Sequence, residues 1–193
     1  EKTAIVVGGS SGIGFETVKQ FLQSGARVFI AARGKPKILP AGATFISCDV
    51  RDKQQVLSMV DKVLEKMGQI DILVNSMGIT FSNLVEEISF SEWQDVIATN
   101  MTGVFLTCQA VLPSMKDRAQ GKIVNVSSVA GRHRSLTAGS HYVASKAAVI
   151  GFSRQLAYEV ASFGINVNIH CPSQTITPML EKGTTSEQRK ALS

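Results

Sequence analysis

The chain has 193 residues, 44% of them hydrophobic and 18% charged, a composition that suits one globular domain large enough to bury a core. Lys and Arg number 20 against 15 Asp and Glu, a net charge of +5; the cations are dispersed without an aromatic-interleaved basic stripe, so nucleic acid is not an expected partner. No apolar run is read as a bilayer span, and the three cysteines, Cys48, Cys108 and Cys171, lack metal-like spacing, so no membrane and no metal is expected and a reducing compartment, the cytoplasm, is.

Along the chain, short apolar runs alternate with amphipathic segments, the pattern of a doubly wound α/β sheet with helices on both faces. Candidate strands are Ala4–Val7, Arg27–Ala31, Thr44–Cys48, Ile70–Val74, Lys122–Val126 and Asn166–His170. The first is followed by a glycine cluster and a helical pattern. Asp52 can cap a helix whose apolar face carries Val56, Val60, Val63 and Met67 and which Gly68 stops. Ser91 can start a longer helix through Trp93, Val96, Ile97 and Leu106 toward Pro113, and a further helix follows His141 through Val149, Phe152 and Leu156 to Gly164. No repeat or linker interrupts residues 1–193, which read as a single domain.

The cluster Gly8, Gly9, Gly12 and Gly14 sits between a strand and a helix. Glycine there lets the backbone approach a dinucleotide pyrophosphate, while the helix N-terminus supplies N–H donors; a bare structural turn is the alternative. At the end of the second strand an acidic residue would accept from a ribose 2′-hydroxyl. This chain has Arg33, then Lys35 and Lys37, which suit a 2′-phosphate and hence NADP, unless they form only an exposed loop. Tyr142 and Lys146 stand one helical turn apart in "SHYVASK". A neighbouring cation favours the phenolate, which would bring the phenol pKa toward the working range of an acid or base, although such pairs also occur on plain surface helices.

The order of motifs is the glycine loop, Asp49 in "CDV", "NSMG", Asn100 in "ATNMTG", "SSVAG", "YVASK" and "CPSQTITP". From Thr3 to about Met179 this succession resembles the short-chain dehydrogenase/reductase family, whose loop T-G-x-x-x-G-x-G is matched with Val7 at the threonine position. The resemblance implies an NADP(H)-dependent oxidoreductase that interconverts a carbonyl and its alcohol. In it, Tyr142 is the acid or base, Ser128 binds the reacting oxygen, Lys146 lowers the tyrosine pKa and holds the nicotinamide ribose, and Asn100 supports a water that links the lysine to solvent. Cofactor contacts implied are the loop Gly8, Ser10, Ser11, Gly12, Ile13 and Gly14, with Arg33, Asp49 and Val50 at the adenosine end. Asn75, Met77 and Gly78 would line the same side, and Thr175 and Thr177 would meet the carboxamide and diphosphate. Ser127 and Asn125 are expected to be structural.

Three departures stand out. Met77 replaces the family's small alanine, Ser173 follows Pro172 where the family has glycine, and the family's further helix and last strand are expected to be missing from residues 1–193. The segment between strands two and three is also short for a covering helix. Arg132, His133 and Arg134 would favour an anionic substrate, such as a carboxylate or a phosphate-bearing acyl carrier. Phe105, Ala110, Val149 and Phe152 would contribute to a homo-oligomer contact. The alternative function is a dinucleotide-binding regulatory or scaffold protein with little turnover.

Overall fold

The computed structural model describes residues 1–183. Its sheet contains β1 (Thr3–Val7), β2 (Arg27–Ala32), β3 (Ala43–Ser47), β4 (Ile72–Asn75), β5 (Gly121–Val126) and β6 (Ile165–His170). They lie in the order β3-β2-β1-β4-β5-β6, every neighbour parallel. The chain therefore winds one way from β1 to β3 and the other way from β4 to β6. The reversal opens a crevice beyond the carboxyl ends of β1 and β4, where ligands of such sheets sit.

Each predicted strand is present, with β4 displaced toward its carboxyl end. Asp71 explains the displacement. It is 3% exposed, and its carboxylate accepts from the Thr3 backbone N–H at 2.8 Å and from Arg118 Nη2 at 2.7 Å. The residue thus ties the amino end of the sheet by its side chain before the ladder begins.

Helices α1 (Gly12–Gln23), α2 (Lys53–Met67), α3 (Phe90–Ile97), α4 (Gly103–Asp117), α5 (Ser140–Val160) and α6 (Pro178–Gly183) connect and cover the strands. Asp52 caps α2 by accepting from the Gln54 and Gln55 N–H groups, and Gly68 ends it in the left-handed conformation, φ 71°. Its face of Val56, Met59, Val60 and Val63 is buried, which draws about 1.5–3 kcal/mol from each large aliphatic side chain so placed. No helix forms between β2 and β3, where Pro36, Pro40 and Gly42 (φ 88°) interrupt the backbone.

The long predicted helix runs from Phe90 to Asp117, past Pro113, and its cap is Ser89 rather than Ser91: Ser89 Oγ accepts from the Glu92 N–H at 3.1 Å. A π-helical turn, Ala98–Thr102, joins α3 to α4. By length and by the mean hydropathy of its most apolar 18 residues (1.4), this 28-residue helix could cross a bilayer, which corrects the expectation that no segment reaches such a length. Its α4 part packs within the domain instead, on α2, β4, β5 and α5.

Two apolar clusters fill the two sides of the sheet. The larger unites Ile5, Leu73 and Ile123 with α2, α4 and α5; the smaller sets Val18 of α1 against Val6, Ile30 and Val74. With both faces covered, β1 is wholly buried.

Candidate active site

A cavity of about 1030 Å³ opens at the carboxyl ends of the strands. One end is built from the first β–α turn. Gly8 donates its N–H to the Ala31 carbonyl at 2.8 Å and adopts φ 79°, and a Cβ on it would stand 2.6 Å from the Met77 nitrogen. Gly14 serves packing: a Cβ there would lie 2.5 Å from the Gly8 oxygen, so it lets α1 close on the turn and does not itself line the cavity. Ser10, Ser11, Gly12 and Ile13 do line it. The helix cap Ser11 makes no side-chain cap bond, and the first turn of α1 holds no acidic residue. Its N–H groups and the positive end of the helix dipole are thus available to an anion.

Arg33 and Lys35 reach the cavity wall, whereas Lys37 does not. Asp49 and Val50 line the same end. Arg51, which sequence reasoning missed, clamps Asp49 with Nη2–Oδ2 at 2.7 Å and Nε–Oδ1 at 3.0 Å, and reaches Asp95 of α3 at 3.0 Å. This hydrogen bonding holds the Asp49 carboxyl below its ordinary value, so the carboxylate stays charged and oriented.

Thr175 and Thr177 arrive from the segment after β6, and the Thr177 methyl packs 3.3 Å from where a Gly12 Cβ would stand. These residues would close the diphosphate end from the opposite side. Ser173 also lines the cavity, yet among the described non-glycine residues only Ala119 has positive φ. The position therefore tolerates serine without backbone strain. Met77 lines the cavity and also joins the large core cluster; its Cε lies 3.4 Å from where a Gly103 Cβ would stand. Its side chain packs beside Val50 against the glycine that begins α4.

At the other end of the cavity, β5 delivers Ser127 and Ser128, and α5 delivers Tyr142 and Lys146. Ser127 is structural, its Oγ donating to the Lys146 carbonyl at 2.8 Å. Burial pushes the Tyr142 phenol above its ordinary value, and the nearby Ser128 hydroxyl offsets only part of the rise. Lys146 is 4% exposed, and burial lowers its ammonium to about 8. Its Nζ donates to the Val126 carbonyl at 3.0 Å and stands 5.8 Å from the centre of the Tyr142 ring. The expected lowering of the tyrosine by the lysine is therefore not present in this arrangement. Desolvation dominates both groups, and the cation is spent on a backbone carbonyl.

Gly78 makes room for this lysine, since a Cβ would stand 3.4 Å from Nζ and 3.5 Å from Asn100 Oδ1. Asn100 occupies the π-helical turn, a feature common at functional positions. It is wholly buried and off the cavity wall. Its Oδ1 accepts from the Ile79 N–H at 2.8 Å, and its Nδ2 donates to the Ile79 carbonyl and to Ser145 Oγ. Ser145 in turn donates to the Tyr142 carbonyl at 2.7 Å. Asn75 corrects the sequence reading. It is wholly buried and does not line the cavity; its side chain accepts from Thr107 Oγ1 at 2.8 Å and donates to Asn125 at 2.9 Å, tying β4 to β5 and α4.

The profile of the family described as short chain dehydrogenase matches residues 2–188. The chain belongs to the short-chain dehydrogenase family. Among the family's curated members, it is 37% identical over 189 residues to a putative ketoacyl reductase of Streptomyces coelicolor, covering 92% of this chain and 72% of that one. It is also 37% identical over 201 residues to the 3-oxoacyl-(acyl-carrier-protein) reductase of Thermotoga maritima, covering 100% and 81%. Among solved structures, the actinorhodin polyketide ketoreductase with NADPH superposes with a TM-score of 0.86 at 36% identity, covering 93% of this chain and 72% of that chain. The ligand-free aldohexose dehydrogenase of Thermoplasma acidophilum gives 0.89 at 31%, covering 99% and 76%. This short-chain dehydrogenase thus spans about three quarters of the length of these relatives.

The short-chain dehydrogenase cavity is also walled by Phe81, Leu136, Met179 and Leu180. Arg134 reaches the wall, but Arg132 and His133 do not. The apolar residues of this wall come from two loops and from α6, so no local motif marked them.

Proposed function

We propose that this short-chain dehydrogenase is an NADP(H)-dependent oxidoreductase that interconverts a ketone or aldehyde and its alcohol, with Tyr142 as acid and base. The observation that carries the reading is the meeting of Ser128, Tyr142 and Lys146 in the same cavity as the glycine turn and Arg33. The groups present fit a dinucleotide. Backbone and small residues of the turn from Gly8 to Ile13 line the cavity, the α1 N-terminus is uncapped and free of acidic residues, and Arg33 stands at the proposed adenosine end. When bound, the dinucleotide supplies or accepts the hydride.

The chain's own groups then orient the substrate and move a proton. The Ser128 hydroxyl donates to the reacting oxygen and stabilises charge as it develops there. The Tyr142 phenol, kept protonated by burial, donates its proton to that oxygen in the reductive direction and takes it back in the oxidative one. Lys146 would hold the ribose of the bound dinucleotide and return a proton to the phenol. Asn100, acting through Ser145 and Ile79, is a positioning residue.

The substrate preferred by this reading is an acyl compound with an anionic far end. The apolar wall of Phe81, Leu136 and Met179 faces the acyl part and Arg134 the charge. The ketoacyl and 3-oxoacyl reductases among the relatives support that class. A homo-oligomer is proposed through α4 and α5. Phe105 is 39% exposed and packs edge-on against Phe152 at 6.2 Å, which leaves apolar surface for a second copy. Three free cysteines suit the cytoplasm.

Titration with NADPH and NADH, followed by nicotinamide emission, tests the cofactor assignment. Preference for NADPH that is lost in Arg33→Glu is the expected result; equal affinities in the parent chain would remove the role of Arg33.

A further inference from the structure

Beside the acid–base group lies a buried polar cluster that the proposed chemistry does not use. His141, the residue before Tyr142, is wholly buried. Its Nε2 stands 2.9 Å from Oε1 of Glu92 on α3. Nε2 and Oε1 meet only through this close contact, and Nδ1 has no hydrogen-bond partner. The other Glu92 oxygen accepts from Asn83 Nδ2 at 2.7 Å. The imidazole also stacks on Phe81, with ring centres 6.1 Å apart and planes 22° from parallel. Gly139 donates its N–H to the Phe81 carbonyl at 2.8 Å, and a Cβ on it would lie 2.6 Å from the imidazole Cε1.

Among the described residues, every buried side-chain nitrogen or oxygen without a partner belongs to Thr80, Glu92 or His141. All of them sit on the loop after β4 or on the two helices packed against it. Burying so many polar atoms in one place costs stability, about 1–3 kcal/mol for each one left unpaired.

We infer that His141 is a positioning residue: clamped between Glu92 and Phe81, it fixes the Phe81–Asn83 wall of the substrate end and the first turn of α5 that carries Tyr142. The inference rests on the reading of Tyr142 as the acid. The wall comes from the loop after β4 and the acid from the first turn of α5, and the imidazole stacks on the first and adjoins the second. Stacking sets the height of Phe81 in the cavity. The carboxylate, held by Asn83 on its far side, sets where the imidazole stands. A shift of the imidazole moves the phenol and the wall together, whereas the glycine turn, at the opposite end of the cavity, is left in place.

The test is the NADPH-dependent reduction of acetoacetyl-coenzyme A. Glu92→Leu keeps much of the volume but removes both the oxygen that accepts from Asn83 and the one beside the imidazole; it lowers kcat/KM about tenfold while the NADPH Kd stays within about twofold. Glu92→Gln, whose amide oxygen can still accept from Asn83, retains most of the parent activity. His141→Phe keeps the stacked ring without its nitrogens and loses kcat with NADPH binding retained; it reads out the same clamp should Glu92→Leu not fold. Parent-like kcat/KM in Glu92→Leu, a Glu92→Gln no better than Glu92→Leu, or parallel loss of NADPH binding would overturn the inference. Tyr142→Phe in the same assay separates the two failures, since activity surviving that change overturns the reading of the acid and not the clamp.

Discussion

The ammonium of Lys146 is bonded to the Val126 carbonyl at 3.0 Å and stands 5.8 Å from the Tyr142 ring. Both groups are shifted by burial in the direction that favours their neutral forms, the lysine down to about 8 and the phenol up from its ordinary value. The proton order of the pair is therefore lysine first, tyrosine second. The phenol is held ready to donate rather than poised as a phenolate.

That order sets the alkaline limb of carbonyl reduction. Loss of the lysine proton, and not of the phenol's, is expected to end activity as pH rises through about 8. Lys146→Arg carries a guanidinium that stays charged, and its residual kcat is expected to hold to higher pH than that of the parent. A kcat–pH profile whose alkaline limb is unmoved in Lys146→Arg would reject this assignment.

The same buried cation weighs on stability. The unfolded chain keeps this proton to about pH 10.4 and the folded chain only to about 8, so between those values the unfolded state binds more protons and stability rises with pH. Below about 8 the penalty is present in full. Lys146→Met removes it at the cost of one hydrogen bond. At pH 7 the variant is expected to be as stable as the parent or more so, by up to about 3 kcal/mol, and inactive. Thermal unfolding at a lower temperature than the parent would contradict this.

Asp71 behaves in the opposite sense. Burial raises its carboxyl, but the Thr3 N–H and the Arg118 guanidinium outweigh that and hold it below its ordinary value. Its contribution is present above the unfolded carboxylate pKa and is lost as pH falls through the folded one. Asp71→Asn is expected to cost about 1–3 kcal/mol at neutral pH and to flatten the acid side of the stability curve. Denaturant titrations at a series of acidic pH values that leave the two proteins parallel would refute it.

The strands were legible because buried parallel strands are near-continuous apolar runs, and β1, β2 and β5 stand within a residue of their predicted bounds. Ser128, Tyr142 and Lys146 were legible because a strand end and a helix start hold them at fixed spacing. Asn75 was misjudged because motif order does not tell which side of a strand a residue faces, and its side chain turns to Thr107 and Asn125. Arg51 escaped notice because the second acid it binds, Asp95, lies 44 residues away. The π-helical turn around Asn100 and the clamp on His141 depend on three-dimensional packing, and no local pattern of apolar residues announces either. Met77 reads as an obstacle in one dimension; in three, the glycine at 103 leaves room for it.

The central claim is that Tyr142 moves the proton in an NADPH-dependent carbonyl reduction. It is tested most directly by following nicotinamide absorbance with a 3-oxoacyl thioester in the parent chain and in Tyr142→Phe. Turnover in the parent that falls about 10²–10⁴-fold in the variant, with NADPH affinity unchanged, is the result this account predicts. Undiminished turnover in Tyr142→Phe, or a parent that binds NADPH and reduces no carbonyl compound, would contradict it.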